Sequence, residues 1–139
     1  MLRTLNTLMR GVAARQEEAL TDRFAVDLLD QKVRECETNL KAAKATLAAL
    51  ISKQRTEERQ LNAVKAQVSD LTQRAEEALQ AGAEEMVLKA AQAIADLENE
   101  VATRQKCYDS VSARVERMKL SLERAHRRVL DLRQAATVA

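Results

Sequence analysis

The side chains that most often carry out catalysis or bind metals are few in this sequence and stand apart. His126 is the only histidine, and it lies among arginines with no nucleophile spaced to pair with it. Cys36 and Cys107 fit neither CxxC nor any other metal-ligand spacing. With only two glycines, the chain has no glycine-rich loop that could cradle a phosphate. We therefore expect no enzyme activity, no catalytic residue, no metal site and no cofactor.

The opening stretch MLRTLNTLMRGVA suits a different chemistry, which is binding to a membrane surface. On a helical wheel its large apolar residues share one face, and the remainder of residues 1–15 carries three arginines and no acid. Such a helix suits the interface of an anionic membrane, with its apolar face among the acyl chains and its arginines at the headgroups. The predicted membrane-binding residues are Leu2, Arg3, Leu5, Leu8, Met9, Arg10, Val12 and Arg15.

Two other interpretations of this stretch remain open. One is a helix that packs on its own chain or on a neighbouring protein, since amphipathic patterning alone does not distinguish lipid from protein. The other is an organellar transit peptide, because those peptides are also rich in arginine and poor in acids. The serine enrichment and the cleavage signal of a transit peptide are missing here.

The composition indicates long helices that pack along seams. It also disfavours a nucleic-acid-binding protein and a membrane-spanning protein. The chain has 139 residues, 32% of them charged, yet its net charge is only +2, and Phe24 and Tyr108 are its only aromatic residues. It contains no proline, and this composition is typical of long helices or coiled coils. The near-neutral charge disfavours a nucleic-acid partner. No apolar run approaches the roughly 20 residues that cross a bilayer, and two isolated thiols favour a reducing cytosol.

Apolar residues repeat on a seven-residue frame along most of the chain. From Val26 to Ala78, fourteen of the sixteen a and d positions are apolar, and the exceptions are Gln54 and Glu57. A second frame runs from Val87 to Ala136, where only Arg104 departs from the pattern. Frames of this length predict a coiled coil.

The stretch LQAGAEEM separates the two frames and predicts a tight turn. Gly82 is the one residue in it suited to a positive φ, and the two glutamates that follow suit the start of a new helix. We therefore predict a hairpin tip at Ala81 and Gly82, which joins antiparallel arms at about residues 22–80 and 83–136.

The exceptions to the apolar pattern fall at matching heights on the two arms. Folding the chain about the predicted tip places Glu57 opposite Arg104, with Gln54 one turn away. These three residues are the predicted polar core layer, and such a layer fixes the register of a coiled coil at some cost in stability. The alternative is that Glu57 and Arg104 extend to solvent and set no register.

Charge is distributed unevenly between the two ends of the predicted hairpin. Residues 70–85 carry a net charge of −4, whereas residues 104–133 hold nine lysines or arginines against four acids. A negative tip and a positive base would suit staggered stacking of copies. The competing interpretation is that both charge runs are solvated helix faces.

The order of these parts resembles the phage-shock protein A family, which includes the vesicle-inducing protein in plastids and is related to ESCRT-III. Three stretches carry the resemblance: LLDQKVRECETNLKAAKATL, QRAEEALQAGAEEMVLKAAQAIADLENEV and VSARVERMKLSLERAHRRVLDLR. The resemblance implies a protein that binds stressed or curved anionic membrane and polymerises into structures that remodel it. It also implies a regulatory role for some bacterial members, which restrain a transcriptional activator ATPase through the hairpin.

The sequence departs from the family in two respects. The proline common before the first long helix is absent, and LTDRFAVDLL stands in its place. The chain also stops at Ala139, whereas family members continue into further helices that join subunits. We therefore expect a shortened relative, a fragment or a different mode of assembly, and these departures affect polymer formation more than membrane binding.

Together these observations predict an all-α, elongated, antiparallel coiled-coil hairpin with a short N-terminal amphipathic helix. The predicted parts are a membrane-binding helix at 1–16, a linker at 17–22 and the hairpin at 23–137. We expect a homo-oligomeric scaffold that binds and remodels or protects anionic membrane, peripheral to the inner face of the cell membrane. The alternatives are a coiled-coil regulator that binds a protein partner through the hairpin, and a cytosolic structural coiled coil that never meets lipid.

Overall fold

The computed structural model describes residues 2–138, which form a hairpin of two helices. Helix α1 spans Leu2–Gln80 and helix α2 spans Glu84–Val138. The two helices pack against each other, and the described residues include no strand. The predicted all-α hairpin is therefore confirmed.

A short turn that begins with Ala81 and Gly82 joins the two helices. Gly82 has a φ of 75°, and the N–H groups of Ala83 and Gly82 donate to the carbonyls of Ala78 and Leu79 at 3.0 and 3.2 Å. This is the Schellman pattern, in which a left-handed residue just past the helix lets its last carbonyls find donors. Glu84 and Glu85 occupy the first turn of α2, where negative charge interacts favourably with the helix dipole.

The seam positions of both frames are the shielded positions of the helices. Every a and d side chain from Val26 to Ala78 and from Val87 to Ala136 is buried or half-buried. The repeat predicted this result, because residues spaced three and four apart return to the same face of a helix.

Contacts divide the chain into two units, which we call the turn unit and the terminal unit. The turn unit comprises Ala45–Leu120, and its most buried cluster joins Leu50 of α1 to Val111 and Val115 of α2. Val115 is only 1% exposed.

The terminal unit comprises the residues up to Lys44 together with those from Ser121 onward. Leu40 and Val129 are its buried residues, and Arg133 forms an ion pair with Glu37. From Leu2 to Ala25, by contrast, every side chain is exposed. Packing in this unit therefore begins only at Val26, where the heptad frame begins.

The predicted linker does not interrupt the first helix. Residues 17–22 are helical, and the Thr21 hydroxyl donates to the Glu17 carbonyl at 2.8 Å, as in a helix interior. The physical reason is that this segment holds no glycine or proline and is rich in strong helix formers. The functional division into residues 1–16 and 23–137 stays a prediction, and Met1 lies outside the described residues.

The polar layer of the seam forms with partners other than those expected. The Gln54 side-chain amide donates to the Ser112 hydroxyl at 3.0 Å. Arg104 donates to Glu100 on its own helix at 3.0 Å and to Gln60 on the opposite helix at 2.8 Å. Within residues 2–138, Glu57 is half-buried and forms no ion pair, so the expected pairing of Glu57 with Arg104 is absent.

Positions that flank the seam explain the difference. Ser112 and Gln60 follow and precede seam positions of their helices, so a pattern restricted to a and d residues overlooks them. Glu100 lies four residues before Arg104 on the same face of α2. A salt bridge between them forms within one helix and does not depend on how the two helices are aligned. Glu100 thereby neutralises the charge of Arg104, so Arg104 does not require Glu57 as a partner.

Replacing Gly82 tests the turn. We expect Gly82→Ala to lower the free energy of unfolding by about 1 kcal/mol, because alanine is strained at positive φ. Gly11→Ala is the matched control, since Gly11 lies in helical backbone with no neighbouring atom within 4 Å of a new Cβ. This control should instead raise helical content, as alanine favours a helix interior by about 1 kcal/mol over glycine. Circular dichroism during urea unfolding measures both, and equal effects would contradict the role of the turn.

Replacing Gln54 tests whether the polar layer contributes stability. We expect Gln54→Leu to raise the free energy of unfolding by about 1 kcal/mol, because an apolar side chain in a seam usually contributes more to stability than a polar one. Gln54→Ala removes the same hydrogen bond without adding apolar contact, so it should lower this free energy. Urea unfolding of the three chains measures the difference. A loss with leucine would mean that the hydrogen bond to Ser112 outweighs the apolar contact.

Candidate membrane-binding surface

The apolar face of the first three turns of α1 is open to solvent over its whole length. Its residues are between 53% and 90% exposed, far above the values of the seam residues. We call this set the N-terminal apolar face, and its members are Leu2, Leu5, Leu8, Met9 and Val12. Soluble proteins seldom leave contiguous large apolar side chains uncovered, and such patches mark contacts with lipid or protein.

Arginines occupy the remainder of this segment of α1. With about 100° between successive residues, Arg15 borders one edge of the N-terminal apolar face, whereas Arg3 and Arg10 lie on the polar side of the helix. Within the described residues none of the three forms an ion pair, so their charges are free to meet another surface. The Thr7 hydroxyl donates to the Arg3 carbonyl at 2.7 Å, so its hydrogen-bond donor has a partner within the helix.

This arrangement suits a helix in a membrane interface. The apolar side chains would enter the acyl region, and the guanidinium groups would remain on the headgroup and water side. Arginine suits this position because its fork of donors pairs well with phosphate. All eight residues predicted from the sequence lie on this one segment of helix, and every one of them is exposed.

The basic character of α1 ends abruptly after Arg15. Residues 17–30 carry five acids and one arginine, a net charge of −4. Anionic lipid would repel this acidic stretch, so the surface suited to membrane is confined to residues 2–15. Within residues 2–138, no stretch of helix is long and apolar enough to pass through a bilayer.

Two further groups of exposed apolar residues escaped the sequence analysis. Leu20, Phe24 and Leu28 follow the basic segment on α1, and they are 65%, 67% and 45% exposed. Leu79, Met86 and Leu88 lie close to the turn and are 65–71% exposed. The heptad frames could have revealed both groups, because these large apolar residues occupy positions outside a and d, where polar residues are usual.

Comparison with known proteins places the chain in a family. A family model described as the PspA/IM30 family matches residues 1–138. Searches of curated proteins and of solved structures each find no match. The family match extends over the exposed N-terminal surface, the turn and both helices of the hairpin. The chain therefore belongs to the PspA/IM30 family, a family of non-enzymatic, membrane-associated and self-assembling proteins.

Proposed function

We propose that this protein binds anionic membrane through residues 2–15 and assembles with its own copies into a scaffold. The scaffold acts on the inner face of the cell membrane, where it remodels or protects stressed bilayer in the manner of ESCRT-III proteins. The observation that carries this proposal is the exposed N-terminal apolar face on a segment whose remaining surface carries three arginines and no acid. Membership of the PspA/IM30 family supports it.

The energetics of a single copy favour weak, reversible binding. Burial of one leucine side chain contributes about 1.5–3 kcal/mol, and the loss of free motion on binding offsets much of that gain. Each arginine near an anionic surface adds about 1 kcal/mol. Copies joined to one another bind membrane far more tightly, because each attached copy raises the effective concentration of the next.

The same geometry suggests how a bound array would act on the bilayer. Helices inserted shallowly expand only the leaflet they enter, so many copies side by side favour curvature or fill packing defects. The hairpin contributes no chemistry to this process. Its role is to hold many N-terminal helices against one area of membrane.

A second candidate function is regulation of a protein partner through the hairpin. The observation that favours it is the exposure of Leu79, Met86 and Leu88 near the turn. Exposed leucine and methionine side chains are typical of surfaces that bind protein partners. Removal of residues 1–15 would abolish lipid binding in the first proposal but preserve partner binding in the second.

Neutral substitutions on the apolar face test membrane insertion. We expect Leu5→Gln with Leu8→Gln to lower binding to small anionic vesicles at least about tenfold, since two inserted leucines are lost. Thr4→Gln with Thr7→Gln is the matched control, because it places the same side chains on the polar face of the same turns. Co-sedimentation with vesicles measures both variants. Equal binding by the two variants would overturn the proposed insertion and favour the regulatory role.

Removal of the arginines tests the electrostatic contribution. We expect replacement of all three N-terminal arginines by glutamine to lower binding to anionic vesicles about a hundredfold at low salt, at about 1 kcal/mol per charge. Binding to neutral vesicles should change little, and 0.5 M salt should remove most of the difference by screening. A control with the same change in net charge replaces Arg23, Lys32 and Arg34 by glutamine. If the control loses as much affinity, the N-terminal arginines have no special role.

A further inference from the structure

The side chains of Leu20, Phe24 and Leu28 form a line along α1 that the hairpin leaves uncovered. They are spaced four residues apart, so they lie on one side of the helix, and they are 65%, 67% and 45% exposed. The seam uses other residues of the same stretch, such as Val26 and Leu29, which are half-buried. We call the exposed line the ridge.

The ridge bears negative charge. By helical geometry, Glu17 lies within the face of the ridge and Asp27 lies along its edge. Neither carboxylate forms an ion pair within residues 2–138. A surface that covers the ridge must therefore be both apolar and basic, which excludes anionic lipid and favours protein.

Elsewhere in the terminal unit lies a surface that is both apolar and basic. A cleft of about 670 Å³ lies between α1 and α2, and its floor includes Leu40 and Leu122. It opens where the seam is occupied by the small side chains of Cys36, Ala43 and Ala125, which cannot fill the space between two helices.

Arginines surround this cleft. Arg124, Arg127 and Arg128 all line it, against a single acid, Asp131. No salt bridge of the described residues involves any of the three arginines, so their charges are unneutralised. The cleft thus combines an apolar floor with a basic rim.

We propose that the ridge of one copy docks into the cleft of a second copy. Leu20, Phe24 and Leu28 would cover the apolar floor, in the way that amphipathic helices fill hydrophobic grooves, while Glu17 and Asp27 meet the arginines of the rim. The ridge of a chain cannot reach the cleft of the same chain, because ridge and cleft wall are parts of the one uninterrupted helix α1. The complementary charges of ridge and cleft favour a second copy as the occupant.

This contact joins two different surfaces of the same chain, so it repeats. Each copy that offers its ridge keeps its cleft open for the next copy, and a contact of this kind builds rings or open filaments instead of closed dimers. The inference deepens the proposed self-assembly by naming the two surfaces that meet. It is separate from membrane insertion, because neither surface includes the N-terminal apolar face.

Disulfide capture tests the placement of the two surfaces. One chain carries Thr21→Cys at the border of the ridge with both native cysteines removed, as Cys36→Ala and Cys107→Ser. The other chain retains only Cys36, which lines the cleft. We expect mild oxidation of the mixture to give a dimer linked between positions 21 and 36, identified by mass spectrometry. Ala19→Cys, on the opposite side of the helix, is the control and should give little of this product. Equal yields from the two positions would overturn the proposal.

Charge reversal tests the complementarity in solution, without lipid. We expect Glu17→Arg with Asp27→Arg to weaken self-association at least about tenfold in sedimentation experiments, and Arg124→Glu with Arg127→Glu to do the same. A mixture of the two variants should recover association, because each restores opposite charges to the other. Glu18→Arg with Asp22→Arg makes an equal change in charge on the far side of α1, so it should leave association intact.

The outcomes separate this proposal from the proposed membrane function. An intact chain that stays monomeric with and without vesicles overturns the docking, whereas vesicle binding that depends on Leu5 and Leu8 would still stand. Loss of vesicle binding on Leu20→Gln with Phe24→Gln, with no disulfide formed between copies, would assign the ridge to lipid and also overturn the docking.

Discussion

The structure depends on a single apolar seam between two helices. Most of its side chains are small or medium aliphatic residues, and only seven of the residues described are buried, with Val115 the most completely shielded. A seam of this kind removes far less apolar surface from water than the layered core of a globular domain. Its strict seven-residue spacing compensates, because each heptad of the two frames places its a and d residues in the seam.

A two-helix seam also determines where function can lie. Two helices shield only the line between them, so they form grooves instead of enclosed cavities, and water reaches every charged side chain. The large cleft of the terminal unit is such a groove. It exists because the small side chains of Ala43 and Ala125 do not fill the space between the two helices. The exposed surfaces of the two helices are therefore the features from which a function can be argued, and their apolar and charged patterning carries that argument.

The sequence predicts the hairpin well because its determinants are local and periodic. The heptad frames name every shielded seam position, and Gly82 marks the turn because few other residues adopt its φ of 75°. The partners of Gln54 and Arg104 were less predictable. Side-chain reach and local competition decide which of several polar neighbours is bonded, and Arg104 finds Glu100 one turn away before it meets Glu57. The uncovered apolar residues outside the frames, such as Phe24, could be located from the frames, but how exposed each one is follows only from the structure.

Continuity of α1 through residues 17–22 changes how its two exposed surfaces are related. A linker there would let the basic segment at residues 2–15 turn independently of the acidic ridge, whereas an unbroken helix fixes their angular relation. The apolar direction of residues 2–15 and that of the ridge differ by roughly one quarter of a turn of the helix. If the first face lies down on a bilayer, the ridge points sideways, along the membrane plane. That is the direction in which a neighbouring copy on the same membrane would stand, so orientation by lipid would favour the contact that extends an array.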